Sequence, residues 1–414
     1  MRIAKIEAPS SIEEIGVRRN LLEDLALKIL YLLGEMSVRE LAPHMGLRLG
    51  MAEELFQRLR KDQLCQVTGM TGRVHSFTTT SSGKSRALEL LAQNQYTGPA
   101  PVSLKDYAGM IRAQSVRGIQ ITPGDMNRAF NHLVLAPQVL NQLGTAVMSG
   151  RSIFLYGPTG TGKTTIAETL THLFNKDQVL IPYAVEVDGQ IIAVYDSVVH
   201  QRLEQPASRE QDGRWVPCHR PRVLAGGELT IEMLDLQFNP STKFYAGPVQ
   251  MKANNGLLII DDFGRQRISP EELLNRWVVP LDRGIDFLTL AGGKKIEIPF
   301  DLFVVFATNI DPAKLVDEAF LRRIQTKIKV DFVAAEQFRE IFRRVCLQFS
   351  LTYDMAAVDE VIRMIRQVYH EPLRACYPHD LIQQILSEAR YLQQEPRLDH
   401  DTVTQACRNY FLAS

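Results

Sequence analysis

The stretch GPTGTGKTT, residues 157–165, decides how the chain is to be folded. It fits G-x-x-x-x-G-K-[ST] at Gly157, Gly162, Lys163 and Thr164, a spacing that turns backbone N–H groups inward around phosphate oxygens. Side chains would obstruct that approach, hence the glycines. RSIFLYG just before it reads as a short apolar strand, and KTTIAETLTHLF just after it places Ile166, Leu170 and Phe174 on one helix face. Strand, loop and helix together bring the positive end of a helix to an anion. Gly157, Pro158, Thr159, Gly160, Thr161, Gly162, Lys163, Thr164 and Thr165 are therefore the expected phosphate cradle. Lys163 would reach the β- and γ-phosphates, and the Thr164 hydroxyl would hold Mg²⁺.

A second stretch, LLIIDDFG at 257–264, has the apolar run of a strand buried on both faces, and it ends in two carboxylates. Such a strand ends in acids when something positive waits there. Beside a phosphate loop that partner is the metal, so Asp261 is expected on the Mg²⁺ side. Asp262 would orient and polarise the attacking water; the competing reading is that it caps the following turn. A third apolar strand, LFVVFATNI at 302–310, ends in Thr308 and Asn309, and an amide placed there can help position that water. AFLRRI at 319–324 then brings Arg322 and Arg323, and from about residue 333 the pattern is helical.

This order of phosphate loop, acidic strand, strand ending in asparagine, arginine pair and helical tail resembles the AAA+ ATPase family over roughly residues 119 to 414. The resemblance implies ATP and Mg²⁺ as ligands, a homo-oligomeric ring, and remodelling of a macromolecular client. It makes Asn309 the sensor 1 residue, and Arg322 or Arg323 the finger that reaches a neighbour's γ-phosphate. In RACYPHDLIQQIL, His379 stands where many relatives carry the sensor 2 arginine, and Arg374, just upstream, is the expected substitute. YAVEVDGQIIAVYD reads as a hairpin turning at Asp188-Gly189. GIDFLTLAGGKKIEIPF (284–300) reads as a second, with Lys294 and Lys295 near its tip; it is similar to the pre-sensor 1 insertion of MoxR-type ATPases and enhancer-binding activators. The whole chain resembles bacterial predicted ATPases with chaperone activity.

Ahead of this module, residues 20–33 and the stretch from Ser37 to Val67 read as helix and helix-turn-helix, followed by two short extended runs and another helix. Three helices and a hairpin predict a winged helix. Residues 1–92 hold 13 Lys/Arg against 11 Asp/Glu, a difference of +2, weak beside the basic footprint of DNA-binding modules. A protein-docking role is favoured over DNA contact through residues 37–80. YTGPAPVSL, with Pro99 and Pro101, is a stiff connector. The expected architecture is thus α/β, a mostly parallel sheet with flanking helices. Its divisions are a winged-helix domain at 1–97, a linker at 98–118, a nucleotide-binding domain at 119–332 and a helical lid at 333–414.

Across the 414 residues, 47 Lys/Arg balance 47 Asp/Glu, which excludes a protein that coats nucleic acid with its whole surface. The five cysteines are scattered and never spaced as CxxC, so neither a disulfide framework nor a zinc site is indicated and a reducing cytoplasm is expected. No apolar run is long enough to predict a membrane span. The alternative function is a nucleotide-gated DNA-binding regulator.

Overall fold

The computed structural model describes residues 7–71, 74–174, 177–204, 211–315 and 321–411. Contacts divide the chain into two compact units that interleave along the sequence. One comprises Met1–Gly118, Phe174–Leu258 and Glu272–Phe303; the other comprises Ile119–Leu173, Ile259–Glu271 and Val304–Ser414. The sequence reading, by contrast, places linear boundaries near residues 97, 118 and 332.

The second unit is α/β. Its sheet strands are Ile153–Tyr156, Thr326–Lys329 and the parts of Leu257–Ile260 and Phe303–Thr308 from Ile259 and Val304 onward; in the sheet the order is Leu257–Ile260, Phe303–Thr308, Ile153–Tyr156, Thr326–Lys329. Ile153–Tyr156 pairs in parallel with both neighbours, Val305 and Thr326 each standing opposite Ile153. Every residue of Leu257–Ile260 and Phe303–Thr308 is buried, as continuous apolar runs demand of strands covered on both faces. Phe154, Phe263 and Phe306 pack against one another with centroids 5.1–5.7 Å apart, under the point where the acidic strand ends.

Beyond the last strand come the helices Ala335–Gln348, Met355–Arg363, Tyr377–Tyr391 and His400–Tyr410. They enclose a separate core that includes Phe338, Phe342, Val358, Ile365, Leu381 and Cys407. Asp354 and Asp399 cap two of them through their side chains, satisfying amides that the helix cannot. Met364–Val368 is a π-turn, closed by Tyr369 N–H donating to Met364 C=O at 3.0 Å.

In the first unit, helices Arg19–Leu33, Val38–Met45, Leu49–Lys61 and Ser81–Gln93 surround a three-stranded antiparallel sheet in the order Met36–Ser37, Val74–Thr79, Cys65–Thr71. Gly72, at the expected turn of its hairpin, lies outside the described residues. The second helix starts with the capping box of Ser37 and Glu40. The core of these helices, with Leu25, Phe56 and Phe77 fully buried, continues into Ala184 and Ile191. Those two belong to the hairpin Ala184–Val187/Gln190–Ala193, which turns through Asp188 (φ 52°) and Gly189 (φ 83°), both left-handed as a type I′ turn requires. The second hairpin pairs Ile285–Thr289 with Lys295–Pro299. Lys294 at its tip forms an ion pair with Asp188, so the two hairpins are tied together.

Candidate functional site

The phosphate-loop strand Ile153–Tyr156 runs into Gly157, and helix Lys163–Leu170 begins immediately after Gly162. Three loop glycines carry left-handed φ angles: 143° at Gly157, 78° at Gly160 and 93° at Gly162. Their surroundings differ. A Cβ on Gly157 would lie 2.1 Å from Val330 C=O, and one on Gly160 would lie 2.7 Å from Cys376 Sγ. A Cβ on Gly162 would meet nothing within 4 Å. Only the last glycine therefore opens onto free space at the helix N-terminus; the first faces a backbone carbonyl and the second a cysteine side chain.

Lys163 is 7% exposed, and its ammonium donates to Gly157 C=O at 2.9 Å and Pro158 C=O at 2.7 Å. Two of its three protons are thus committed to the loop and one is left for a ligand. Burial holds its pKa below the usual lysine value, with Asp261 and Asp262 acting in the opposite direction. Thr161 braces the loop by donating to Pro158 C=O at 2.9 Å. Thr165 is exposed on the first helical turn.

The Thr164 hydroxyl donates to Asp261 Oδ2 at 2.9 Å, which brings the helix start to the end of the acidic strand. The other oxygen of Asp261 accepts the Asp262 N–H at 3.0 Å. Asp262 is exposed and sits at φ 49°. Left-handed backbone is costly for most side chains and tolerated best by Gly, Asn and Asp, which is a physical reason to find Asp here and not Glu. Its carboxylate accepts the Asn309 amide at 3.1 Å. Thr308 supports the neighbouring loop by donating to Phe263 C=O at 2.7 Å.

Sequence reasoning missed Gln266. Its amide donates to Asp261 C=O at 2.6 Å and its oxygen accepts Gly264 N–H at 2.8 Å, bracketing the turn that holds both acids. A glutamine in a post-strand loop gives no signal of this in sequence. Arg265 and Arg267 flank it and are exposed. Arg276 is an internal partner of the fully buried Asp286, at 2.5 Å.

Arg374 lies at the phosphate loop. It reaches Thr159 C=O at 3.5 Å, pairs with Glu371 at 3.1 Å, and stands over the rings of Phe332 and Tyr377. Two residues on, Cys376 N–H donates to Gly160 C=O at 3.1 Å. His379 instead packs its ring against Phe349 at 5.9 Å and contacts Asp380. Of the two sensor 2 candidates, Arg374 is the one beside the loop. Arg322 and Arg323 occupy the turn before Thr326–Lys329, the former exposed and the latter half-buried.

A family model described as a domain of unknown function, DUF8689, matches residues 334–409, the segment of the four terminal helices. The chain is similar to the uncharacterized protein YojN of Bacillus subtilis (strain 168), 36% identical over 56 residues. That match covers 14% of this chain and only 18% of YojN. Among solved structures it is similar to RuvB of Thermotoga maritima, described as a Holliday junction branch migration motor. There the identity is 16% and the TM-score 0.38, over 66% of this chain and 67% of that one. A RuvB mutant gives 14% and 0.38, over 72% of each. Likeness at this level does not carry RuvB's chemistry over to this chain.

Proposed function

We propose that the chain is a Mg²⁺-dependent ATPase of AAA+ type, working as a homo-oligomeric ring that remodels a macromolecular client. One observation carries the reading: the Thr164–Asp261 and Asn309–Asp262 hydrogen bonds, at 2.9 and 3.1 Å, join the phosphate loop, the acidic strand and the amide-ended strand in one place. A hydroxyl and a carboxylate are hard oxygen donors, the set Mg²⁺ prefers, so the residues present fit that ion. When bound, the ion would neutralise charge on the phosphate oxygens.

The chain's own residues divide the rest of the work. Loop amides and the remaining Lys163 proton bind the phosphates. Asp262 takes a proton from water as the water oxygen attacks the γ-phosphorus, and the bond from that phosphorus to the bridging oxygen breaks to leave ADP and phosphate. Asn309 holds the Asp262 carboxylate on line. Arg322 or Arg323 of an adjoining copy is assigned the transition-state cation, and Arg374 the contact from the lid. Lys163→Ala should abolish phosphate release and nucleotide binding together; assembled wild-type protein that binds MgATP and never releases phosphate would refute the reading.

The winged-helix arrangement proposed for the first 97 residues is assigned to protein docking. In the helix Leu49–Lys61, which would have to read DNA, Arg58 lies 3.7 Å from Glu23 and 4.0 Å from Glu54, so acids already compete for its charge. A nucleotide-gated DNA regulator acting through residues 37–80 has correspondingly less support.

A further inference from the structure

We propose that Arg344 is a positioning residue that latches the lid to the turn in front of the phosphate loop, and that this latch sets how fast nucleotide leaves. The second half rests on the ATPase reading above. Arg344 lies on the helix Ala335–Gln348. Its Nη1 donates to Asn131 C=O at 2.6 Å and to Leu133 C=O at 3.1 Å. Its Nε donates to Glu340 Oε1 at 2.7 Å, which fixes the direction of the guanidinium. The planar fork suits this work, because one rigid group serves a carboxylate on one side and two carbonyls on the other.

The turn it holds is closed by Leu133 N–H donating to Phe130 C=O at 2.9 Å, and it follows the helix Pro123–Ala129. Its middle residue, His132, meets Thr169 Oγ1 through Nε2 at 3.2 Å. Thr169 spends its own hydroxyl proton on Thr165 C=O at 2.7 Å, so its oxygen accepts and the histidine Nε2 carries the hydrogen. Thr165 is the immediate neighbour of Thr164, the residue bonded to Asp261. A continuous polar chain thus runs from Glu340 through Arg344, the 131–133 carbonyls, His132 and Thr169 to the helix that starts the phosphate site. Arg374 and Cys376 hold a different part of the loop, at Thr159 and Gly160. Among the described residues the lid is thus fastened both at the loop, through Arg374 and Cys376, and away from it, through Arg344.

The neighbouring Arg343 supplies a control. It pairs with the same Glu340 at 2.8 Å and, among the described residues, has no hydrogen bond to the 131–133 turn. The test uses the full chain as wild type, Arg344→Ala, Arg344→Lys and Arg343→Ala. Amide hydrogen exchange is followed over 130–136 and 163–170 without nucleotide, and release of a fluorescent ATP analogue is followed with Mg²⁺. Loss of a charge-assisted bond should speed exchange in both segments, and release, by about tenfold in Arg344→Ala. Arg344→Lys, with one nitrogen in place of three, should fall between, and Arg343→Ala should match wild type. Exchange in Arg344→Ala matching wild type, or an equal effect from Arg343→Ala, would overturn the latch. Faster exchange with unchanged release would overturn its control of nucleotide. Wild-type protein that binds no nucleotide would count against the ATPase reading, while the exchange measurement would still decide the latch.

Discussion

Replacing Asp262 separates the two roles a second carboxylate can have at the end of the acidic strand. Its backbone is left-handed, its carbonyl accepts Arg265 N–H at 2.9 Å, and its carboxylate accepts the Asn309 amide at 3.1 Å. Asp262→Asn preserves each of these: asparagine tolerates the same φ, and its amide oxygen can still face Asn309. What it removes is the capacity to accept a proton. A positioned general base is worth about 10² to 10⁴ in rate, or roughly 3–5 kcal/mol of barrier. Phosphate release at saturating MgATP should fall by that factor, with thermal stability and nucleotide affinity close to wild type. Asp262→Glu keeps the carboxylate but adds about 1 kcal/mol of backbone strain and pushes the oxygens past Asn309, so a smaller loss, about tenfold, is expected. If Asp262→Asn turns over ATP at the wild-type rate, Asp262 is a turn cap and the base lies elsewhere.

Two further perturbations probe the glycines and the first unit. Gly157→Ala should destabilise the fold by about 3 kcal/mol or more, since a Cβ would strike Val330 C=O at φ 143°, whereas Gly162→Ala has open space and should cost only about 1–2 kcal/mol while weakening nucleotide binding; thermal unfolding and titration distinguish the two. Lys28, 5% exposed and bonded to Asn94 C=O at 2.9 Å, has its pKa pushed down to about 8 by burial. An unfolded lysine keeps its proton to about pH 10.4, so between about 8 and 10.4 the unfolded chain binds more protons and stability should rise with pH, by about 3 kcal/mol in all. Lys28→Met should flatten that rise and be more stable than wild type at pH 7; a wild-type unfolding profile flat across the window would refute this account.

Local signals were legible in the sequence where one short segment determines its own conformation. Asp188-Gly189 is a tight turn because those residues accept positive φ, and the buried strands are visible as apolar runs. The strands that lead into the lysine loop, the two acids and Asn309 are local patterns of the same kind. Arg374 is the substitute that the family resemblance suggests, and in the structure it lies beside Thr159. What escaped depends on contacts between distant segments. The interleaving of the two units, the shared core of the first helices with Ala184 and Ile191, and the Arg276–Asp286 pair have no local signature. The π-turn before Arg374 likewise has no local signature in the sequence.

The crowding at Gly157 and Gly160 changes what conservation of these two residues would mean. Val330 C=O leaves no room for a side chain at Gly157, and Gly160 combines a left-handed φ with Cys376 Sγ 2.7 Å from where a Cβ would sit. A related chain that bound no triphosphate would still be held to glycine there by its own architecture. Whether a related chain holds phosphate is better judged from Lys163, whose third ammonium proton the loop does not use.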